Sequence, residues 1–162
     1  MKYCKKCLYP DTKPQLEFNN DGVCSACTNY ELKEKIDWNK KRDELKQILD
    51  RNKSKDGSTY DCIIPVSGGK DSHRQAFYVR DEQGFHPLLV SCVYPPEELH
   101  ERGASNLANL ISHGFDCISL SLDPIRWKEL MRHGFYRFGN FLRSTEMALY
   151  AIPVHVAVAY KI

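Results

Sequence analysis

Hydrophobic and polar positions change their rhythm twice along the chain, and the longest regular stretch starts at Tyr60. From there short apolar runs alternate with helix-spaced segments. Tyr60–Val66 reads as a strand, Asp71 to Gln83 as a helix stopped at Gly84, and Pro87–Val93 as a second strand. A helix over about Pro96 to His113 ends at Gly114, and Cys117–Leu122 is a third strand. Asp123-Pro124 then has the form of an N-cap followed by proline at the first helical position, opening a helix through about Arg132. The last segment, Ser144 to Tyr160, is apolar on most sides and predicts a buried helix bent at Pro153. Strand and helix in alternation specify an α/β fold, a parallel sheet with helices on its faces.

Upstream the rhythm differs. Glu31 to Asn52 is charged, with helix-spaced Leu32 and Ile36, then Trp38, Leu45, Ile48 and Leu49, predicting one or two amphipathic helices. A polar hinge follows at Ser54–Ser58. Residues 1–31 are rich in turn formers, with only Leu16-Glu17-Phe18 as an apolar piece. The expected organisation is therefore a small module over 1–31, a helical basic linker over 32–58 and an α/β domain over 59–162.

Charge adds little to this picture. The formal net charge is +2, which provides no overall pull toward nucleic acid or a membrane surface. Lys33 to Lys55 holds nine basic against five acidic residues, which reads as a solvated helix face, with RNA contact as the alternative. The N-terminus has no apolar signal region, and the longest apolar stretch, Ala148 to Tyr160, is too short to span a bilayer and contains Pro153 and His155. A cytoplasmic protein without a membrane partner is expected.

Four of the seven cysteines form two knuckles, Cys4-Lys5-Lys6-Cys7 and Cys24-Ser25-Ala26-Cys27, with sixteen residues between them. Tetrahedral zinc takes four thiolates, and a two-residue gap lets one turn supply a pair. A zinc ribbon-like module is the expectation, with disulfides, a redox pair or an iron site as alternatives; four cysteines leave no open coordination position, so the metal is expected to be structural. Cys62, Cys92 and Cys117 each stand alone in an apolar run and read as small buried hydrophobes.

The chemistry concentrates in Ser67-Gly68-Gly69-Lys70-Asp71-Ser72, directly after the first strand. Paired glycines permit positive φ and close backbone approach, so amide groups can converge on one anion, helped by the positive end of the following helix dipole. Lys70 supplies a mobile cation, Ser67 and Ser72 supply hydroxyls, and Asp71 either caps the helix or helps hold magnesium. The spacing is neither that of the Walker loop nor that of the dinucleotide fingerprint. It resembles the PP-loop of ATP pyrophosphatases, and the resemblance implies ATP phosphates on Ser67, Gly68, Gly69, Lys70, Asp71 and Ser72, with Lys70 and Asp71 as the catalytic pair.

The chain stops soon after an apolar crossover helix that should deliver a further strand, so an incomplete domain is expected; a complete short sheet, closed by dimerisation or by the last segment adopting a strand, is the alternative. Tyr3–Thr12, Gly22–Cys27, Tyr60–His73, Asn106–Asp116 and Tyr150–Val154 together resemble the N-acetyl sugar amidotransferases, a likeness spread over essentially the whole chain. Members of that family are expected to be longer, with an additional strand carrying active-site residues. The resemblance implies an enzyme that uses ATP and Mg2+ to adenylate the N-acetyl group of a nucleotide-linked sugar. Ammonia from glutaminase and cyclase-like partner subunits then converts that group to an acetamidino group, in surface polysaccharide, lipopolysaccharide or flagellar glycan biosynthesis. Zn2+ on Cys4, Cys7, Cys24 and Cys27 completes the implied set. The rival readings are a PP-loop tRNA thiolation enzyme, which would need catalytic cysteines near the loop, and a catalytically silent zinc and nucleotide-binding module. His73, Asp123 and Asn106 are further candidates: His73 as a phosphate contact or a surface residue, Asp123 as a ligand contact or a helix cap, Asn106 as a substrate contact.

Overall fold

The computed structural model describes residues 1–94 and 100–162. The chain divides into two compact units, Met1–Leu49 and Asp50–Ile162. Among the described residues no helix is long and apolar enough to cross a membrane.

The first unit is organised by its knuckles. Two isolated antiparallel bridges, Tyr3 with Pro10 and Phe18 with Cys24, each close one cysteine turn, and the Lys5 amide donates to the Gly22 carbonyl (3.1 Å) between them. Helix α1, Ser25–Glu34, starts inside the second knuckle, with Cys24 at its N-cap. That is six residues before the sequence-expected start at Glu31, because the turn that presents Cys24 and Cys27 is itself the first turn of the helix. Helix α2, Trp38–Asn52, is a separate element. Asp37 breaks the two apart: its carboxylate accepts from the amides of Asn39 (3.1 Å) and Lys40 (3.0 Å), satisfying donors that a helix start leaves without partners. No residue of α2 is buried, so its amphipathic pattern produces an exposed helix.

In the second unit three strands, β1 (Cys62–Pro65), β2 (Pro87–Val93) and β3 (Cys117–Ser121), form a parallel sheet in the order β1-β2-β3. Register places Ile63 against Leu88 and Val90 against Ile118. β2 lies in the middle and is buried on both faces, with Leu88, Leu89 and Val90 each at most 2% exposed. Burying three such side chains stabilises the unit by roughly 2 kcal/mol apiece. Among the described residues β1 has a neighbour on one side only.

Alternation along the strands sorts the core into two clusters. On one face Ile64 and Leu89 pack with Ala76 of helix α3 (Lys70–Phe77), Leu110 of α4 (Glu101–Ser112) and Phe115. On the other, Leu88 and Val90 pack with Val156 of α6 (Arg143–Tyr160) and with Ile63 and Ile118. Helix α5 (Pro124–Phe138) forms a hairpin with α6; a Cβ on Gly134 would lie 2.7 Å from the Asn140 carbonyl oxygen.

Several boundaries depart from the sequence expectation. β1 is shorter than Tyr60–Val66, because the Asp61 carboxylate accepts from the amides of Ser54 (2.5 Å) and His86 (2.6 Å) and holds the strand entrance in a turn network. The first helix of the sheet region is split, α3 giving way to a π-helical turn over Tyr78–Glu82 before Gly84. Arg80 in that turn donates to the His113 carbonyl (2.6 Å) and lies over the Phe115 ring at 4.1 Å, clasping the end of α4. The expected start of α4 at Pro96 lies outside the described residues. α5 runs on to Phe138 rather than Arg132, ending where Gly139 adopts φ +64°.

The expectation of a buried last helix is corrected. A helix laid on one sheet face buries one stripe, and here Pro153 and Val156 occupy it. Met147, Tyr150, Val154 and Val158 are exposed.

Candidate functional site

Strand β1 ends by directing the chain into Ser67–Ser72. Val66 donates to the Val90 carbonyl (2.9 Å), the last ladder bond before the loop. Gly68 then takes φ +75°, and Gly69 is the N-cap of α3 with no side chain available to cap it. The loop is closed by hydroxyls: the Ser67 amide donates to Ser72 Oγ (3.0 Å), and the two serine Oγ atoms lie 3.4 Å apart. Helix geometry leaves the first amides of α3, those of Lys70, Asp71 and Ser72, without intrahelical acceptors at the positive end of the dipole. Lys70 and Asp71 are exposed and pair with each other at 2.9 Å. An exposed pair of this kind contributes little stability and exchanges readily for a ligand.

A Cβ at Gly68 would sit 2.9 Å from the Leu107 amide nitrogen and 3.0 Å from the Asn106 carbonyl carbon. The loop thus lies directly against the backbone of α4. Beside it opens a cavity of about 600 Å3 lined by Ser67, Ser91, Tyr94, Gly103, Leu107 and Ser119, among others. It lies where the C-terminal ends of the strands meet α4, the position at which open α/β sheets hold ligands. Its wall is mostly apolar with a few hydroxyls, which suits a flat heterocycle more than a second charged group. Tyr94 forms an edge-to-face pair with the buried Trp127, ring centroids 5.1 Å apart.

The sequence-proposed residues Ser67, Gly68, Gly69, Lys70, Asp71 and Ser72 form one continuous turn. The structure also brings Asn106 to the loop, through its backbone and Cβ at Gly68. His73 contacts loop and neighbouring helix: Nδ1 lies 3.1 Å from the Gly69 carbonyl oxygen and Nε2 2.9 Å from Asn109 Oδ1. Asp123 is a helix cap, its carboxylate accepting from the Ile125 amide at 2.9 Å. Apart from Ser67, the cavity wall was not singled out in the sequence as a site; Gly103, Leu107 and Ile111, four apart on α4, carried a signal that could have marked it.

Cys62, Cys92 and Cys117 are free and half-buried, so the expectation of wholly buried thiols is met only partly. Burial, with the charge of Asp61, pushes the Cys62 thiol up to about 11, and burial raises Cys92 and Cys117 as well. All three are held in the protonated, poorly nucleophilic form.

Cys4, Cys7, Cys24 and Cys27 form a second centre, their Sγ atoms all within 4.8 Å of one another. Tetrahedral zinc with bonds of about 2.3 Å separates its sulfurs by about 3.8 Å. Cys4 and Cys27 Sγ stand 3.9 Å apart and Cys7 and Cys24 Sγ 3.5 Å, so the donor set fits a single ion. All four are free thiols and not disulfides. The amides of Lys6 and Cys24 both donate to Cys4 Sγ at 3.3 Å, the contacts that stabilise a ligating thiolate. An ion pair between Lys6 and Glu31 ties the first knuckle to α1.

Burial opposes ionisation of Cys4, but amide donors from Cys24, Cys7 and Lys6 outweigh it and bring its pKa down to about 6. Cys27 goes the other way: the Cys7 thiol, burial and the remaining thiols push it up to about 12. At Cys7 the Tyr9 amide lowers the pKa, yet desolvation and the Cys24 and Cys4 thiols leave it raised. At neutral pH Cys4 is therefore a thiolate, whereas Cys7 and Cys27 keep protons that an arriving ion must displace. Apparent metal affinity is expected to rise with pH above neutrality, because Cys7 and Cys27 must release protons to the arriving ion, and to fall further below about pH 6 as Cys4 protonates. Competition with a chelator across that range measures the slope; a flat profile would contradict the four-thiolate site.

No family model matches the chain. It is 27% identical over 111 residues to an uncharacterized protein of Methanocaldococcus jannaschii, an alignment covering 68% of this chain and 39% of that protein. The chain thus spans about two fifths of the length of the relative it matches.

Proposed function

We propose that this protein is an ATP-dependent amidotransferase of the PP-loop type that acts on the N-acetyl group of a nucleotide-linked sugar. The observation that carries the reading is the Ser67–Ser72 turn: a glycine at φ +75°, free helix amides, a lysine and two hydroxyls beside a cavity of about 600 Å3. The amides of Lys70 to Ser72 hold the phosphates and the apolar cavity takes the base. The substrate amide oxygen attacks the α-phosphorus, the bond to the β-phosphate bridge breaks, and pyrophosphate leaves. Ammonia then adds to the O-adenylated imidate carbon and AMP departs, producing an acetamidino group.

Lys70 stabilises the charge that gathers on the departing pyrophosphate, an electrostatic rather than covalent contribution. Asp71, exposed beside it, is placed to hold Mg2+, which would neutralise the same charge when bound. Ammonia arrives from glutaminase and cyclase-like partner subunits, the set implied by the sequence likeness. The Cys4, Cys7, Cys24 and Cys27 centre holds Zn2+ structurally. Raised thiols at Cys62, Cys92 and Cys117 weigh against a tRNA thiolation enzyme.

The test incubates the chain with ATP, Mg2+ and ammonium, adding either an N-acetylated nucleotide sugar or tRNA, and follows pyrophosphate. Release that depends on the sugar is expected. Release that depends on tRNA overturns the assignment, and ATP binding without release reduces the chain to a nucleotide-binding module.

A further inference from the structure

His73 belongs to the first turn of α3, one residue past Ser72, and none of the chemistry above uses it. Its position is defined by three contacts. Its backbone amide donates to the Gly69 carbonyl at 3.1 Å, and its ring Nδ1 reaches the same oxygen at 3.1 Å. Its Nε2 faces Asn109 Oδ1 at 2.9 Å across to α4. One residue thus addresses the Gly69 carbonyl twice and anchors to the helix that backs the loop.

A carbonyl oxygen can only accept, so Nδ1 must carry the proton. Asn109 accommodates that requirement in either charge state. Its Oδ1 accepts from an imidazolium, and after a half-turn of the amide its NH2 donates to the bare Nε2 of a neutral ring. The consequence for the loop follows from peptide planarity. In a trans peptide the C=O and N–H vectors are antiparallel, so fixing the Gly69 carbonyl along the helix fixes the Lys70 N–H outward. Gly69 has no side chain of its own to restrain that peptide, and glycine is the residue most free to rotate it.

We propose that His73 is the positioning residue of the phosphate loop: as the Nδ1–H form, braced by Asn109, it locks the Gly69–Lys70 peptide with its N–H aimed at the bound phosphate. The assignment rests on the ATP reading, but its hydrogen-bond component is independent of any ligand. His73 itself does not touch the reacting atoms.

Two measurements on the full chain test it. Long-range 1H–15N correlation spectra of the metal-loaded protein without nucleotide should show His73 protonated at Nδ1, and Asn109→Ala should reduce that signature. Calorimetry with Mg-ATP should then show His73→Ala weakened by about tenfold, the worth of one well-placed hydrogen bond. His73→Asn, whose amide nitrogen overlays Nδ1, should return to within about threefold of wild type, whereas His73→Gln, which overlays Nε2, should not. Equal losses in the Asn and Gln variants would indicate mere packing and overturn the proposal, as would unchanged binding in His73→Ala. If wild type itself fails to bind Mg-ATP, the amidotransferase reading falls. The spectra then decide the contact alone: a ring protonated only at Nε2 overturns it.

Discussion

Replacing Cys24 by serine, or stripping the metal with a chelator, is expected to unfold the Met1–Leu49 unit while the sheet of Asp50–Ile162 survives. The first unit has almost no other source of stability. Its buried cluster consists of Cys4, Cys24 and Cys27, with only Leu16, Phe18 and Val23 packed partly against it. Helix α1 buries Cys27 alone and α2 buries nothing. So small a core cannot offset the entropy of ordering its backbone, and such modules depend on a staple. Structural zinc in comparable peptides supplies about 10–16 kcal/mol at neutral pH, so metal binding and folding of this unit are expected to be one event. Cys24 is a sensitive position because it is fully buried, its Sγ lies 3.5 Å from Cys7 Sγ and its own amide donates to Cys4 Sγ. Amide spectra read the outcome: signals from residues 1–35 should collapse to random-coil positions while those of β2 stay dispersed. Retained dispersion in a metal-free Cys24→Ser chain would show that the unit is held together by something other than its thiolates.

The second large effect is expected at Gly68. Alanine there must adopt φ +75°, which costs an L-residue about 1–2 kcal/mol. Its Cβ would also lie 2.9 Å from the Leu107 amide nitrogen, closer than backbone and side chain tolerate. Overpacking of this kind costs a further 1–3 kcal/mol or so, relieved only by moving the loop off α4. Stability should fall by about 2–5 kcal/mol and, on the proposed ATP-binding role, Mg-ATP affinity by at least about tenfold as the converging amides separate. Gly57→Ala is the control, since that glycine has φ +70° but nothing within 4 Å of a built Cβ. It should show the strain cost alone, measured by urea unfolding. Equal behaviour of the two variants would mean that the contact with α4 is immaterial.

Much of this architecture is legible in the residues. Short apolar runs at Ile63, Leu88 and Ile118 with helix-spaced segments between them specify a parallel α/β sheet, because such runs are buried between helical layers. The cysteine spacing anticipates the four-cysteine cluster, since a two-residue gap lets one turn present two sulfurs to one ion. The loop is equally local: paired glycines and a helix start form a tight strand-to-helix turn from residues 67–72 alone.

Long-range placement was not legible. Nothing in the pattern says that Gly68 meets Leu107, that Ser91 and Leu107 share a cavity wall, or that His73 finds Asn109. The apolar content of Ser144–Tyr160 suggested burial all round, yet which stripe is covered depends on what packs there, and α6 meets the sheet along Val156 and its neighbours only. Local chemistry is written in nearest-neighbour spacing, whereas a site's walls come from residues tens of positions apart that meet only once β2 is sandwiched and α4 is laid against the loop. The chain alone therefore determines two chemical centres and the layers that carry them; the tertiary packing decides the cavity beside the loop and the partner that holds its peptide in place.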